Sequence, residues 1–325
     1  MSRYKSTQQA HHETLIGATD NIFTGDKGGG KFKKRKHPHI LEKGINNLYE
    51  HIRNGVIEYF KENHISWWKG APSGNTLSSQ IACLNHLFAI MHDKDAVLAM
   101  LNGVRDEFED VLPIPCDARP QYIAFEVVSA VDHLNEKKTL TRGAVCTSVD
   151  AFIYAVHKGD GKRWLIPIEW KYTEHYDNKD KSNEDRKKEE KGSNGSGQKR
   201  VSNYSGLTDA SAQLKSLDNY FGSTYYQEPF YQLMRQTLWA ENVIKHSSVE
   251  LLKAHDYLHI HVIPSENKAL LDKKYKVSGG KGMEETWRSM LTDQSKYVIV
   301  DPKTLFAPIA DRYPHLASYL EKRYW

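Results

Sequence analysis

The chain has 325 residues, 39% of them apolar and 11% aromatic, enough core-forming material for one large folded domain or two ordinary ones. Its 45 basic and 41 acidic residues leave a net charge of +4, which permits a polyanionic partner without demanding one. Cys83, Cys116 and Cys146 are far apart with no C-x-x-C pair, which argues against a disulfide framework or a cysteine zinc site. No apolar run approaches the ~20 residues that span a bilayer, and the start, M-S-R-Y-K-S-T-Q-Q, has no secretory apolar region, so a cytoplasmic protein is expected.

In chain order, residues 1–40 read as an irregular, flexible basic arm, with Lys27, Lys31, Lys33, Lys34, Arg35 and Lys36 unaccompanied by acids from 27 onward. The G-G-G-K within it is not a phosphate loop, because Phe32 follows Lys31 where Ser or Thr is needed and no strand precedes it. Ile45, Leu48, Ile52, Val56, Tyr59 and Phe60 predict a helix across 41–62, part of a helical extension ending near 76. A loop with Trp67 and Trp68 follows. Thr76 or Ser78 then caps a second helix striped by Ile81, Leu84, Phe88 and Met91, and a third is expected from Lys94 to Phe108.

Strands are predicted at 122–128, 147–157 and 163–172, the last two joined by K-G-D-G-K, whose Asp-Gly is a strong hairpin signal. Residues 177–200 hold eight basic and six acidic side chains and almost nothing apolar, and read as a mobile loop reaching to about 205. Beyond it the pattern predicts helices at 209–219 and 228–243, a strand at 256–264, a helix at 283–291, a strand at 297–300 and a final helix at 312–323.

The third strand carries Glu169 and Lys171 two residues apart, hence on one face of an otherwise apolar run, and burying either alone is expensive. If Asp160–Gly161 is a two-residue turn, Asp150 lies opposite Lys171, and Glu169 is diagonal to Asp150. Pro167 inside this strand cannot donate to a ladder, and a bulge there would shift the register by one residue. Two carboxylates on rigid strands suit a hard divalent cation, Mg²⁺ or Mn²⁺, which stabilises charge on a phosphodiester and lowers the pKa of water. A nearby ammonium orients that water or neutralises the developing charge.

With Ser148-Val149-Asp150, an 18-residue gap and Glu169-Trp170-Lys171, followed by E-P-F-Y-Q-L-M-R-Q on a helix, the chain resembles the PD-(D/E)XK nuclease superfamily. Within it the chain resembles a bacterial group of uncharacterised restriction endonucleases. Val149 stands where the superfamily name has proline. The resemblance covers about 77–300 and implies an α/β (α+β) restriction-endonuclease-like core: a mixed central sheet flanked by helices, here with an N-terminal helical extension. It implies that Asp150, Glu169 and the Trp170 carbonyl hold the metal, that Lys171 is catalytic, and that the nuclease domain spans 77–325. DNA is the expected partner, no membrane is expected, and a homodimer is expected because double-strand cutting often needs two active sites. A restriction or defence endonuclease follows; the alternative is a nuclease-fold protein that binds DNA without cutting it.

Glu126, an acid in an apolar strand, is a candidate third carboxylate, or else a salt-bridged strand acid. Gln80 opens the first core helix, where this fold often places an accessory acid. Gln232 and Gln236 share a helix face, and Gln232 is the stronger candidate for the site. Glu174 is an outer candidate, and His259 and His261 read as a packed pair rather than metal ligands.

Overall fold

The computed structural model describes residues 2–67, 69–136, 139–144, 146–177, 179–185 and 195–325. The chain does not begin as a loose arm. Ser2 caps a helix, α1 (Arg3–Gly17), whose buried stripe is Tyr4, Gln8, His12, Leu15 and Ile16. Two of those five are polar, so hydrophobic periodicity does not reveal the helix. The basic run that follows forms a hairpin, β1 (Lys31–Phe32) and β2 (Arg35–Lys36), with Phe32 opposite Arg35. The Asp26 carboxylate anchors its base, accepting from the backbone N–H groups of Gly28, Glu42 and Lys43 at 3.0–3.1 Å.

The helix expected over 41–62 is shorter. Only α2 (Arg53–Glu62) is α-helical, after two 3₁₀ turns, Gly44–Asn47 and Glu50–Ile52. Asn47 instead spends its side chain on the carbonyls of Ser73 and Asn75, and a Cβ on Gly44 would collide with the Pro72 carbonyl at 1.9 Å. Ser78 caps α3 (Ser79–Leu87), and Asp93 caps α4 (Lys94–Val104). The chain leaves α4 early to form an edge strand, β3 (Phe108–Val111), that the sequence pattern does not predict.

The core is a seven-stranded mixed sheet in the order β3-β5-β6-β8-β9, with β4 also on β5 and β7 on β6. β4 (Ala124–Val127), β5 (Val149–His157) and β6 (Arg163–Trp170) form an antiparallel meander. The chain then passes through α5 (Ser196–Asp209) and α6 (Phe230–Lys245). It returns as β7 (Asp256–Tyr257) and β8 (His259–Val262), both parallel to β6, with β9 (Tyr297–Val300) outside. A last helix, α7 (Pro314–Tyr324), packs near α1 and α3. One apolar core joins α2–α4 to one sheet face, and a second joins α5 and α6 to the other. This is a mixed α/β sheet flanked by helices, as expected.

Two further expectations change. Residues 196–205, assigned to the charged loop, lie in α5, and the helix expected over 209–219 is this one displaced toward the N-terminus; residues 178 and 186–194 of that loop lie outside the described residues. The hairpin register also differs. Ala151 faces Ile168 and Val156 faces Arg163, with a four-residue connection 158–161 rather than a two-residue turn. The slip is two residues, so every side chain keeps its face, and Asp150 comes level with Glu169 rather than with Lys171. Pro167 needs no bulge. It faces Phe152 and sits between the stretch of β6 paired with β7 and the stretch paired with β8, where no neighbour needs its missing N–H.

Candidate active site

β6 is the central strand, and its C-terminal end presents Glu169 and Lys171, 3% and 4% exposed. Their side chains form an ion pair. Burial alone would pull the Lys171 ammonium down, but the charges of Glu169, Tyr176 and Asp150 outweigh it and hold Lys171 well above its ordinary range. α6 supplies the lid over this pair. Gln232 accepts a hydrogen bond from Lys171 through Oε1, and Gln236, one turn on, donates to Glu169 through Nε2. The structure thus brings both glutamines to the pair. Tyr176 closes the side, with Lys171 Nζ 5.9 Å from its ring centre.

Asp150 sits beside them but points elsewhere. Its Oδ2 accepts the Trp170 backbone N–H at 2.8 Å, tying the end of β5 to β6 just past their ladder. Asp150 also lines a void of about 10 Å³ with Gln80, Cys83 and Glu126, room for about one water. Burial pushes the Asp150 carboxyl well above its ordinary range; Glu169 and Glu126 add to the rise, while Lys171 opposes it. The Trp170 ring lies in the core on the α3 side, 4.8 Å from the His86 ring.

Glu126 has a backbone φ of +51° inside β4, a conformation that side chains other than glycine rarely adopt. No residue is inserted, since Phe125 faces Ala151 and Val127 faces Val149. Instead the strand turns over. Phe125 packs in the α2–α4 core and Val127, two residues on, in the α5–α6 core; Ala151 and Val149 divide in the same way. Glu126 and Asp150 occupy the crossover in the two strands. Gln80 and Ser148 each donate to the Glu126 carboxylate at 2.7 Å. Burial raises the Glu126 carboxyl, against the pull of those two bonds. Arg142, fixed by Asp117 at 2.6 Å, donates to the Phe125 and Glu126 carbonyls and holds the bend. Sequence reasoning missed Arg142; nothing in its flat, polar neighbourhood marks it.

Among the described residues, no three His, Cys, Asp or Glu side chains converge as a ready-made metal cage. Asp150, Glu126 and Glu169 nevertheless feel one another's charge, and they offer the hard oxygen donors that Mg²⁺ takes. Glu174 accepts the Tyr172 N–H at 2.6 Å. His259 and His261 are buried and held neutral by burial and by Lys171, with His261 Nδ1 2.8 Å from the Tyr297 hydroxyl. Trp68 lies outside the described residues.

An antiparallel meander continued by a parallel strand, with an acid and a lysine at the end of its central strand and a second acid level with them on the next, defines a restriction-endonuclease-like protein. The chain belongs to the family described as "Restriction Endonuclease associating with ARP", whose pattern matches residues 9–325. No curated protein and no solved structure matches it. No helix among the described residues is long and apolar enough to cross a membrane.

Proposed function

We propose that the protein is a Mg²⁺- or Mn²⁺-dependent endodeoxyribonuclease of the PD-(D/E)XK type, acting in restriction or defence. The observation that carries this reading is the buried Glu169–Lys171 pair gripped by Gln232 and Gln236, level with Asp150 on the next strand. An apolar core does not need such a group, since well-packed apolar side chains often replace a buried ion pair with little loss of stability.

Asp150, Glu169 and the Trp170 carbonyl would hold the cation, with Glu126 and its amide partner Gln80 on the far side. The bound ion supplies charge neutralisation at the phosphodiester and acidifies the attacking water. Lys171 places a permanent positive charge where negative charge develops on the phosphate, and its bond to Gln232 fixes the ammonium's direction. Gln236 orients Glu169. The basic hairpin and the charged segment 177–200 contact DNA, so affinity falls steeply with salt.

The test is plasmid cleavage with Mg²⁺, with and without EDTA, beside Lys171→Ala and Asp150→Ala. Loss of cutting in all three controls supports the reading. Cleavage that survives both substitutions overturns the residue assignment. DNA binding without any cutting by the unaltered protein favours the catalytically inactive DNA-binding reading.

A further inference from the structure

A cleft of about 890 Å³ opens beside the candidate site, and Glu126 is among the residues that line it. Lys5 of α1, Lys31 of the hairpin and Lys69 contribute cations to its walls, and Phe32 and Trp67 contribute aromatic faces. Phe32 is 42% exposed, one of several large apolar side chains at the surface, and the hairpin fixes where it stands. Lys33 and Lys34 form the hairpin tip at φ +46° and +67°, and His37 N–H bonds the Gly30 carbonyl at 3.0 Å to close the base. A Cβ on Gly30 would lie 2.4 Å from the Leu41 carbonyl, so the hairpin is seated directly on the body of the protein. Lys69 Nζ stands 4.7 Å and Lys33 Nζ 5.7 Å from the Phe32 ring centre. Trp67 is stacked on Phe60 at 3.8 Å and 12°, which fixes its plane where it borders the cleft.

We propose that this cleft receives a single unpaired DNA strand, with Phe32 and Trp67 stacking on its bases and the three lysines following its phosphates. The proposal rests on the nuclease reading for its end point, Glu126. Two arguments select an unpaired strand. Aromatic faces interleaved with cations are what exposed bases bind, because each base presents a π-face once it is unstacked. Size is the second. A volume of about 890 Å³ is small beside a duplex, whose major groove alone is about 12 Å wide, so a duplex meets the rim and a single strand the interior. The hairpin then stands at the mouth, where an exposed Phe32 holds an end or a junction open. The preferred substrate is DNA with a single-stranded region reaching Glu126.

Binding is measured on the full chain in EDTA, by fluorescence anisotropy, with one labelled sequence in three forms: single-stranded, blunt duplex, and duplex with a single-stranded tail. The single-stranded and tailed forms should bind at least ten-fold more tightly than the blunt duplex. Phe32→Ala should lower affinity for those two about ten-fold and leave the blunt duplex unaffected; as Phe32 is exposed, the variant's melting temperature should match the parent's. Equal or tighter binding of the blunt duplex, or a Phe32→Ala variant that binds all three forms as the parent does, overturns the proposal. Cleavage of the same three forms in Mg²⁺ separates the two readings. A protein that cuts blunt duplex as fast as tailed duplex keeps the nuclease and loses the cleft assignment; one that cuts nothing yet prefers unpaired DNA does the reverse.

Discussion

Glu126 holds a left-handed backbone in the middle of a strand, with a buried carboxyl raised by its surroundings. Each feature costs free energy, and local strain of this kind is worth about 1–3 kcal/mol. The strain can be isolated by comparing two truncations. Glu126→Ala and Glu126→Gly both remove the carboxylate and its bonds to Gln80 and Ser148, but only glycine is at ease at φ +51°. Glu126→Gly should therefore be more stable than Glu126→Ala by about 1 kcal/mol in urea unfolding, although alanine is ordinarily the better strand residue. Glycine that is no more stable than alanine there would mean the bend is not strained. Lys171 and Glu169 allow a second comparison. Lys171→Met leaves Glu169 buried without its cation and should cost about 3–5 kcal/mol, whereas the pair Lys171→Met with Glu169→Gln should regain most of that. Neither variant should cut DNA, with rates at least about 100-fold below the parent's. Stability restored without activity would show that the pair is retained for chemistry rather than for folding.

At the scale of elements, what the sequence reveals depends on how much of each element is apolar. α3, β5, β6 and β9 are legible because alternation or a helical stripe of large apolar residues writes them out, and Ser78 marks the start of α3 with a real side-chain cap. α1 and α5 are not. Gln8 and His12 bury polar atoms against Tyr172 and the Arg323 carbonyl. Only Val201 and Tyr204 are apolar among the buried positions of α5, beside Gly197 and Thr208. The hairpin register was legible in face but not in pairing, since a four-residue and a two-residue connection differ by two positions and preserve alternation. At the site, Glu169, Lys171 and Asp150 stand out as charges in apolar strands. Gln236 stands out less, because an amide on a helix usually faces solvent. That Glu126 breaks its own strand is a backbone property that no residue type announces. α1 gives a test at this scale. It buries Tyr4, Leu15 and Ile16, worth about 1.5–3 kcal/mol each. Deleting residues 2–17 should lower the melting temperature by several degrees in scanning calorimetry, where removal of a mobile arm would leave it unchanged.

The molecule as a whole carries an acid-sensitive charge pattern. His12, His86, His259 and His261 are buried and neutral, each lowered by loss of water, with Arg323 or Lys171 adding to the effect. His86 and His259 come down to about 3. A histidine whose folded pKa lies below its unfolded value of about 6.5 leaves the fold fully stable above that pH and withdraws stability as pH falls toward the folded value. Each pH unit in that interval costs about 1.36 kcal/mol per histidine, so at pH 5 His86 and His259 together remove about 4 kcal/mol. That is a large share of a typical stability of about 5–15 kcal/mol. Asp150 and Glu126 act in the opposite sense: their carboxyls are raised in the fold, so protonation favours the folded state as pH falls. Burial raises Glu228 in that same sense and lowers His39 with the other histidines, so five histidines oppose three carboxyls and a net loss is expected. The melting temperature should fall steadily from pH 7 to pH 5 in the absence of divalent cations. His86→Gln should reduce that fall, flattening the stability curve by about 1.4 kcal/mol per pH unit below 6.5. A melting temperature that holds level or rises over the same range would mean these histidines are already solvated or charged in the native state.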